Sequence, residues 1–110
     1  MCIFCQIIEG KIPCNKVLEN DDFLAFNDIN PIAPIHILII PKKHIESFND
    51  VTPQIMAQIT PFIQEVAKKV GISENGYRLI TNINEDGGQE VKHLHFHLLG
   101  GTKLAWPKLG

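Results

Sequence analysis

No apolar run in this 110-residue chain approaches the ~20 residues needed to cross a bilayer. The amino terminus has no basic lead-in, and Glu9 and Lys11 interrupt its apolar stretch, so a secretory signal is not expected. The expectation is a soluble, cytoplasmic protein. Charge is also sparse: 20% of residues are charged and the net charge is -2, which argues against a disordered tail and against bulk electrostatic binding of nucleic acid. Lys42-Lys43 is too short to make a basic patch. Repeats, low-complexity tracts and long linkers are missing as well, so residues 1–110 are expected to form a single domain. Its 45% hydrophobic content is enough for one modest core. Cysteine is scarce, at three. In a reducing compartment these are not a disulfide framework, and Cys2-x-x-Cys5 reads as a metal site, a redox pair or a coincidence.

The elements that are present follow from hydrophobic period and turn chemistry. Residues 22–27 alternate weakly and read as a strand running into the proline-containing loop 28–34. Residues 35–40 are β-branched and apolar apart from His36, and Pro41 stops them, which fits a buried central strand. Residues 53–70 carry Ile55, Ile59, Phe62, Ile63, Val66 and Val70 on one helical stripe, with Thr52 as N-cap, Pro53 at the first position and Gly71 as the stop. Pro61 inside that stripe predicts a kink or break near Ile59. Residues 77–82 read as a strand, 84–89 as a polar glycine loop and 91–99 as a last strand. Strands, one helix and strands again predict an α+β fold with a largely antiparallel sheet.

The last strand is the most informative segment. A period of two places Val91, His93, His95, His97 and Leu99 on one face and Leu94, Phe96 and Leu98 on the other. If the apolar face closes on the core, the imidazoles line up opposite, about 6.5–7 Å apart at a rise of ~3.3 Å per residue. Three same-face histidines out of five in the chain are hard to reach by composition alone, so a mere polar surface stripe is the weaker reading. Such a ladder suits phosphoryl chemistry, in which one neutral ring attacks phosphorus and a neighbour stabilises charge or protonates the leaving group. The N–H groups of Gly87 and Gly88 can approach an anion closely. It equally suits a three-histidine metal site. Spacing leaves both open. His36, alone in an apolar strand, needs a hydrogen-bond partner whichever holds.

Residues 89–101, with histidines separated by hydrophobic residues, resemble the signature of the histidine-triad (HIT) superfamily. The likeness extends through Ile3-Phe4, Ile7-Ile8 and Ile12-Pro13, residues 25–36, Gly76-Tyr77-Arg78 and Asp86-Gly87-Gly88-Gln89. Trp106-Pro107 is similar to the ending of the Hint branch. The resemblance implies a HIT-like fold whose sheet extends across a homodimer. It also implies a purine nucleoside phosphoramidate hydrolase, cleaving the P–N bond of an AMP or GMP derivative such as adenylated lysine or a simple amine. On that likeness His95 is the nucleophile, His97 contacts the phosphate and helps the amine leave, and His93 and His36 form the supporting relay. Asp28 binds the ribose hydroxyls, while Phe4, Ile7, Phe26 and Ile29 wall the base. Asn82, Gly88, Gln89 and Glu90 belong to the phosphate and leaving-group side, and Trp106 is a specificity position.

Two departures stand out. Glu90 occupies a position where some Hint-type members have serine, and a carboxylate there favours a cationic amine. Cys2-x-x-Cys5 resembles instead the opening of another set of HIT proteins, in which two cysteines join two histidines around zinc. The matching set here is Cys2, Cys5, His44 and His93, a closed structural Cys2His2 site. Structural zinc is therefore expected and no organic cofactor is implied. The alternatives are a dinucleoside polyphosphate hydrolase or nucleotidyl transferase of another HIT branch, or a zinc-containing nucleotide-binding interaction module.

Overall fold

A computed structural model describes residues 2–105. The elements, in order, are α1 (Ile3–Ile8), β1 (Lys16–Glu19), β2 (Phe23–Asn27), β3 (Ile35–Pro41), a short 3-10 turn (Phe48–Asp50), α2 (Pro53–Lys69), β4 (Arg78–Ile80) and β5 (Phe96–Gly100). The five strands form one antiparallel sheet in the order β1-β2-β3-β5-β4. Among the described residues no helix is long and apolar enough to cross a membrane.

Period-two alternation builds both layers. On β2 and β3, Phe23, Ala25, Ile37 and Ile39 face α2, where Ile59, Phe62, Ile63 and Val66 meet them in the main core. Their neighbours Leu24, Phe26, Leu38 and Ile40 turn to the other side, where Phe4 and Ile7 of α1 cover them. β3 is thus apolar on both faces because both are covered. Leu94, Phe96 and Leu98 join the main core, so the histidines that alternate with them face the α1 side.

α2 starts as its sequence predicts: the Thr52 hydroxyl accepts a hydrogen bond from the Ile55 N–H at 3.2 Å, and Pro53 opens the helix. It ends at Gly71, whose φ of +78° allows the N–H of Gly71 to reach Lys68 O and that of Ile72 to reach Ala67 O. The break expected near Ile59 does not occur. Pro61 and Ala57, whose carbonyl loses its N–H partner to the proline ring, both lie on the exposed face, where water can serve that acceptor.

Candidate active site

The predicted strand 91–99 is shorter in the structure, starting only at Phe96. Its partner β3 ends in Pro41, which has no N–H to continue the ladder. The segment ahead of Phe96 is tied elsewhere: the Leu94 N–H donates to Ile45 O at 2.6 Å, and the Thr81 hydroxyl donates to His95 O at 2.8 Å. The histidines still share a face. The His95 and His97 rings lie 5.1 Å apart, centroid to centroid, and His97 is 5.2 Å from His36.

Hydrogen bonds assign a tautomer to each ring. Ile32 N–H donates to His36 Nδ1 at 3.2 Å, which puts the His36 proton on Nε2. That Nε2–H donates to His97 Nδ1 at 3.0 Å, so His97 keeps its own proton on Nε2. His95 Nδ1–H donates to the backbone carbonyl of His93 at 2.7 Å, leaving His95 Nε2 as a bare lone pair. His93 Nε2–H donates to Pro41 O at 2.8 Å, leaving His93 Nδ1 free to accept or to ligate. His93 therefore supports its neighbour through its backbone, and its ring faces sulfur. The sequence offered no signal for Ile32 or Thr81 in these roles, because both act across the fold.

Burial favours the neutral form of three rings, His36, His93 and His97. It pushes His36 and His93 below the usual histidine value, the nearby Asp28 carboxylate partly opposing at His36 and the Pro41 carbonyl at His93. His97 falls to about 4, through burial first and then through His95 and His36, against Asp28. A histidine depressed in the folded state binds its proton more readily when unfolded, so its contribution to stability is present above pH ~6.5 and is lost as pH falls towards 4. After allowance for partial exposure, His97 should contribute a loss on the order of 2 kcal/mol across that window. Thermal melts of the wild type and His97→Gln at pH 7.5, 6, 5 and 4 will measure it. The variant should show the shallower acid slope, and parallel slopes would refute the assignment.

His36, His95 and His97 open on a cavity of about 580 Å3. Phe4, Asp28, Ile29, Asn82, Gly88 and Glu90 also line it. Phe4 stands edge-on to His95 at 5.1 Å. Asp28 caps its own turn by accepting from the Asn30 N–H at 2.7 Å, and its other oxygen lies 3.4 Å from His36 Nε2. Ile7 and Phe26, expected as base walls, are instead buried behind Phe4, whose ring meets Phe26 at 5.8 Å. Gln89 also lies off the cavity. Its amide donates to Glu46 O and Val91 O, and its oxygen accepts from the Asn84 N–H, bracing the loop. That loop needs Gly87: a Cβ there would sit 2.3 Å from Ile83 O. Asn82 Nδ2–H donates to Gly87 O at 2.7 Å, so the glycine turn and the cavity wall are one piece. Trp106 lies outside the described residues.

Behind Phe4, the ligand atoms of Cys2, Cys5, His44 and His93 all fall within 4.8 Å of one another. His93 Nδ1 is 3.4 Å from Cys2 Sγ and 3.6 Å from Cys5 Sγ, and His44 Nδ1 is 3.3 Å from Cys5 Sγ. Ligands at 2.0–2.3 Å around a tetrahedral zinc stand roughly 3.3–3.8 Å apart, so the set fits that ion. The Pro41 carbonyl on Nε2–H is the outer partner that fixes a metal-binding imidazole. Burial, and then Cys2, push the Cys5 thiol above its ordinary value, so a cation is what would favour the thiolate. Asp28, His36 and His97 are also within 4.8 Å of one another, but the proton on His36 Nε2 makes them a hydrogen-bonded relay.

An antiparallel sheet with α1 and α2 on opposite faces, and histidines from β3, β5 and the segment just ahead of β5 lining one cavity, defines a domain of the histidine-triad class. The chain belongs to the HIT domain family, whose model matches residues 9–104. It is 57% identical over 103 residues to an uncharacterized HIT-like protein of Helicobacter pylori, covering 94% of this chain and 99% of that one. Among solved structures it resembles a HIT family hydrolase from Legionella pneumophila, with TM-score 0.92 and 50% identity, covering 97% of this chain and 98% of that chain. A HIT family hydrolase from Clostridium thermocellum is similar at TM-score 0.92 and 44% identity, covering 98% and 96%.

Proposed function

We propose that the protein is a purine nucleoside phosphoramidate hydrolase working through a nucleotidyl intermediate on His95. The observation that carries this is the hydrogen-bond pattern that leaves an unprotonated His95 Nε2 beside a protonated His97 Nε2 in one cavity. The His95 lone pair attacks the α-phosphorus as the P–N bond breaks, and His97 Nε2–H gives its proton to the departing nitrogen. Water then adds to phosphorus, its proton passing to His97 Nε2 in place of the one given to the amine, the His95–phosphorus bond breaks, and the products are the amine and the nucleoside monophosphate. His36, held by Ile32 and bordered by Asp28, keeps the His97 ring oriented and its proton on Nε2. Asp28 receives the ribose hydroxyls, Phe4 and Ile29 flank the base, and Asn82 and Gly88 approach the phosphate.

Glu90 on the cavity wall favours an amine over a polyphosphate leaving group. A carboxylate repels a second phosphate chain and attracts an ammonium, so lysine-like amines fit best. Cys2, Cys5, His44 and His93 would hold structural zinc, which supplies a crosslink and no open coordination position. The test is steady-state hydrolysis of adenosine 5'-phosphoramidate beside a diadenosine polyphosphate. A kcat/KM at least about tenfold higher for the phosphoramidate is expected, and the reverse order would sink the reading.

A further inference from the structure

Cys2 and Cys5 both belong to the amino-terminal segment, Cys2 as the N-cap of α1 and Cys5 within it. His44 follows β3 and His93 precedes β5. A cation shared by the four therefore ties α1 to two other parts of the chain. Between the two sulfurs in sequence stands Phe4, a wall of the cavity, edge-on to His95 at 5.1 Å and to His93 at 5.8 Å. α1 has six residues and no side-chain cap, so it contributes little stability of its own. Burial of Phe4 and Ile7 and the sulfur tie are what fix it.

We infer that the Cys2–Cys5 pair is a redox-sensitive positioning device for the nucleotide site. With both sulfurs on the metal, Phe4 is pinned beside His95; with the sulfurs joined to each other, α1 is untied and nucleotide affinity falls. The inference rests on the metal and nucleotide readings above, and it adds regulation to that site. The two sulfurs lie within 4.8 Å of each other, three positions apart in the chain. A peroxide is the oxidant: one thiol takes an oxygen from it to give a sulfenic acid and water. The second thiol displaces the hydroxyl, the S–S bond forms, and a second water leaves. Two sulfurs are oxidised and the peroxide oxygens are reduced. The new bond spans only residues 2–5, so it replaces a tie between elements with a local one. Cys14 lies outside the four-ligand set.

The effect should fall on affinity more than on turnover. His93 keeps its Pro41 carbonyl and Leu94 keeps Ile45 when the metal leaves, so the carbonyl that orients His95 stays in place. Full-length protein carrying Cys14→Ser, so that only the pair can oxidise, is compared before and after limited hydrogen peroxide. Intact mass should show the loss of two hydrogens, and metal analysis should show zinc release. Calorimetric titration with AMP should show about tenfold weaker binding, while kcat stays within about threefold. A thiol reductant plus zinc should restore affinity. In a Phe4→Ala background AMP binds more weakly at the start, and oxidation should then add less than about twofold, because nothing remains to be positioned. Unchanged AMP affinity in the oxidised, zinc-free protein, or an undiminished oxidation effect in Phe4→Ala, overturns the inference while the hydrolase reading stands. Absence of AMP binding before oxidation overturns both.

Discussion

Replacing His95 with alanine is expected to reduce turnover of adenosine 5'-phosphoramidate by at least about 10^4-fold, the range seen when a covalent nucleophile is removed. The expectation follows from the tautomer of the ring. Because His95 Nδ1–H is committed to the His93 carbonyl, the ring's basic atom is Nε2, and the ring lines the cavity. His97 cannot substitute, since its Nδ1 is occupied by His36 Nε2–H and its Nε2 carries the proton needed by the leaving group. The variant should still fold. It leaves the His93 carbonyl short of one donor and the Phe4 edge short of one ring, a cost of about 1–3 kcal/mol. AMP affinity, measured by titration, is the control and should change by only a few-fold, because base and ribose contacts lie elsewhere. Rapid quench with wild type should give nucleotide bound to protein in an acid-labile form, and the variant should give none. Undiminished turnover by the variant would show that another group attacks phosphorus.

How much of this was legible in the sequence depends on the range over which each feature is determined. α2 was legible because its cap, its stripe and its stop are local, and only the proline misled: an interior ring at an exposed position loses a bond that water can replace. β3 was legible because an apolar run between prolines has few alternatives. The histidine face was correct although the strand was overextended, since facing follows local alternation while strand length depends on a partner that ends at Pro41. α1 went unseen because six residues are too few to display a period, and its helix exists through burial against β2 and β3. β1 is short, with exposed polar residues at both ends and only Val17 and Leu18 packed against the core. At the site, composition could not separate Phe4, which walls the cavity, from Ile7 and Phe26, which sit behind it. Nor could it foresee that Gln89 braces a loop, since its partners lie at Glu46, Asn84 and Val91. The proton order from Ile32 through His36 to His97 needed a backbone N–H that no motif encodes.

The second large effect concerns the four metal-binding positions. Untreated protein is expected to carry stoichiometric zinc, and its removal by a chelator should lower stability by at least about 3 kcal/mol, or roughly 10 °C in melting temperature. The size follows from the connectivity. His44 and His93 come from opposite ends of a long stretch of chain that includes α2, and Cys2 and Cys5 come from a helix too short to persist unaided. An ion bound only by the folded state stabilises it by mass action, and here it closes two long loops at once. Without it, His93 is a buried ring whose Nδ1 faces thiols in place of a cation, a far weaker set of hydrogen bonds. His44→Ala isolates the effect, because His44 is not among the residues that line the cavity and meets the His93 ring at 4.9 Å between centroids. Its melting temperature should lie near that of chelated wild type and respond little to added zinc. Metal content near zero in untreated wild type, or a melting temperature indifferent to chelation, would show that the four side chains are held by packing alone.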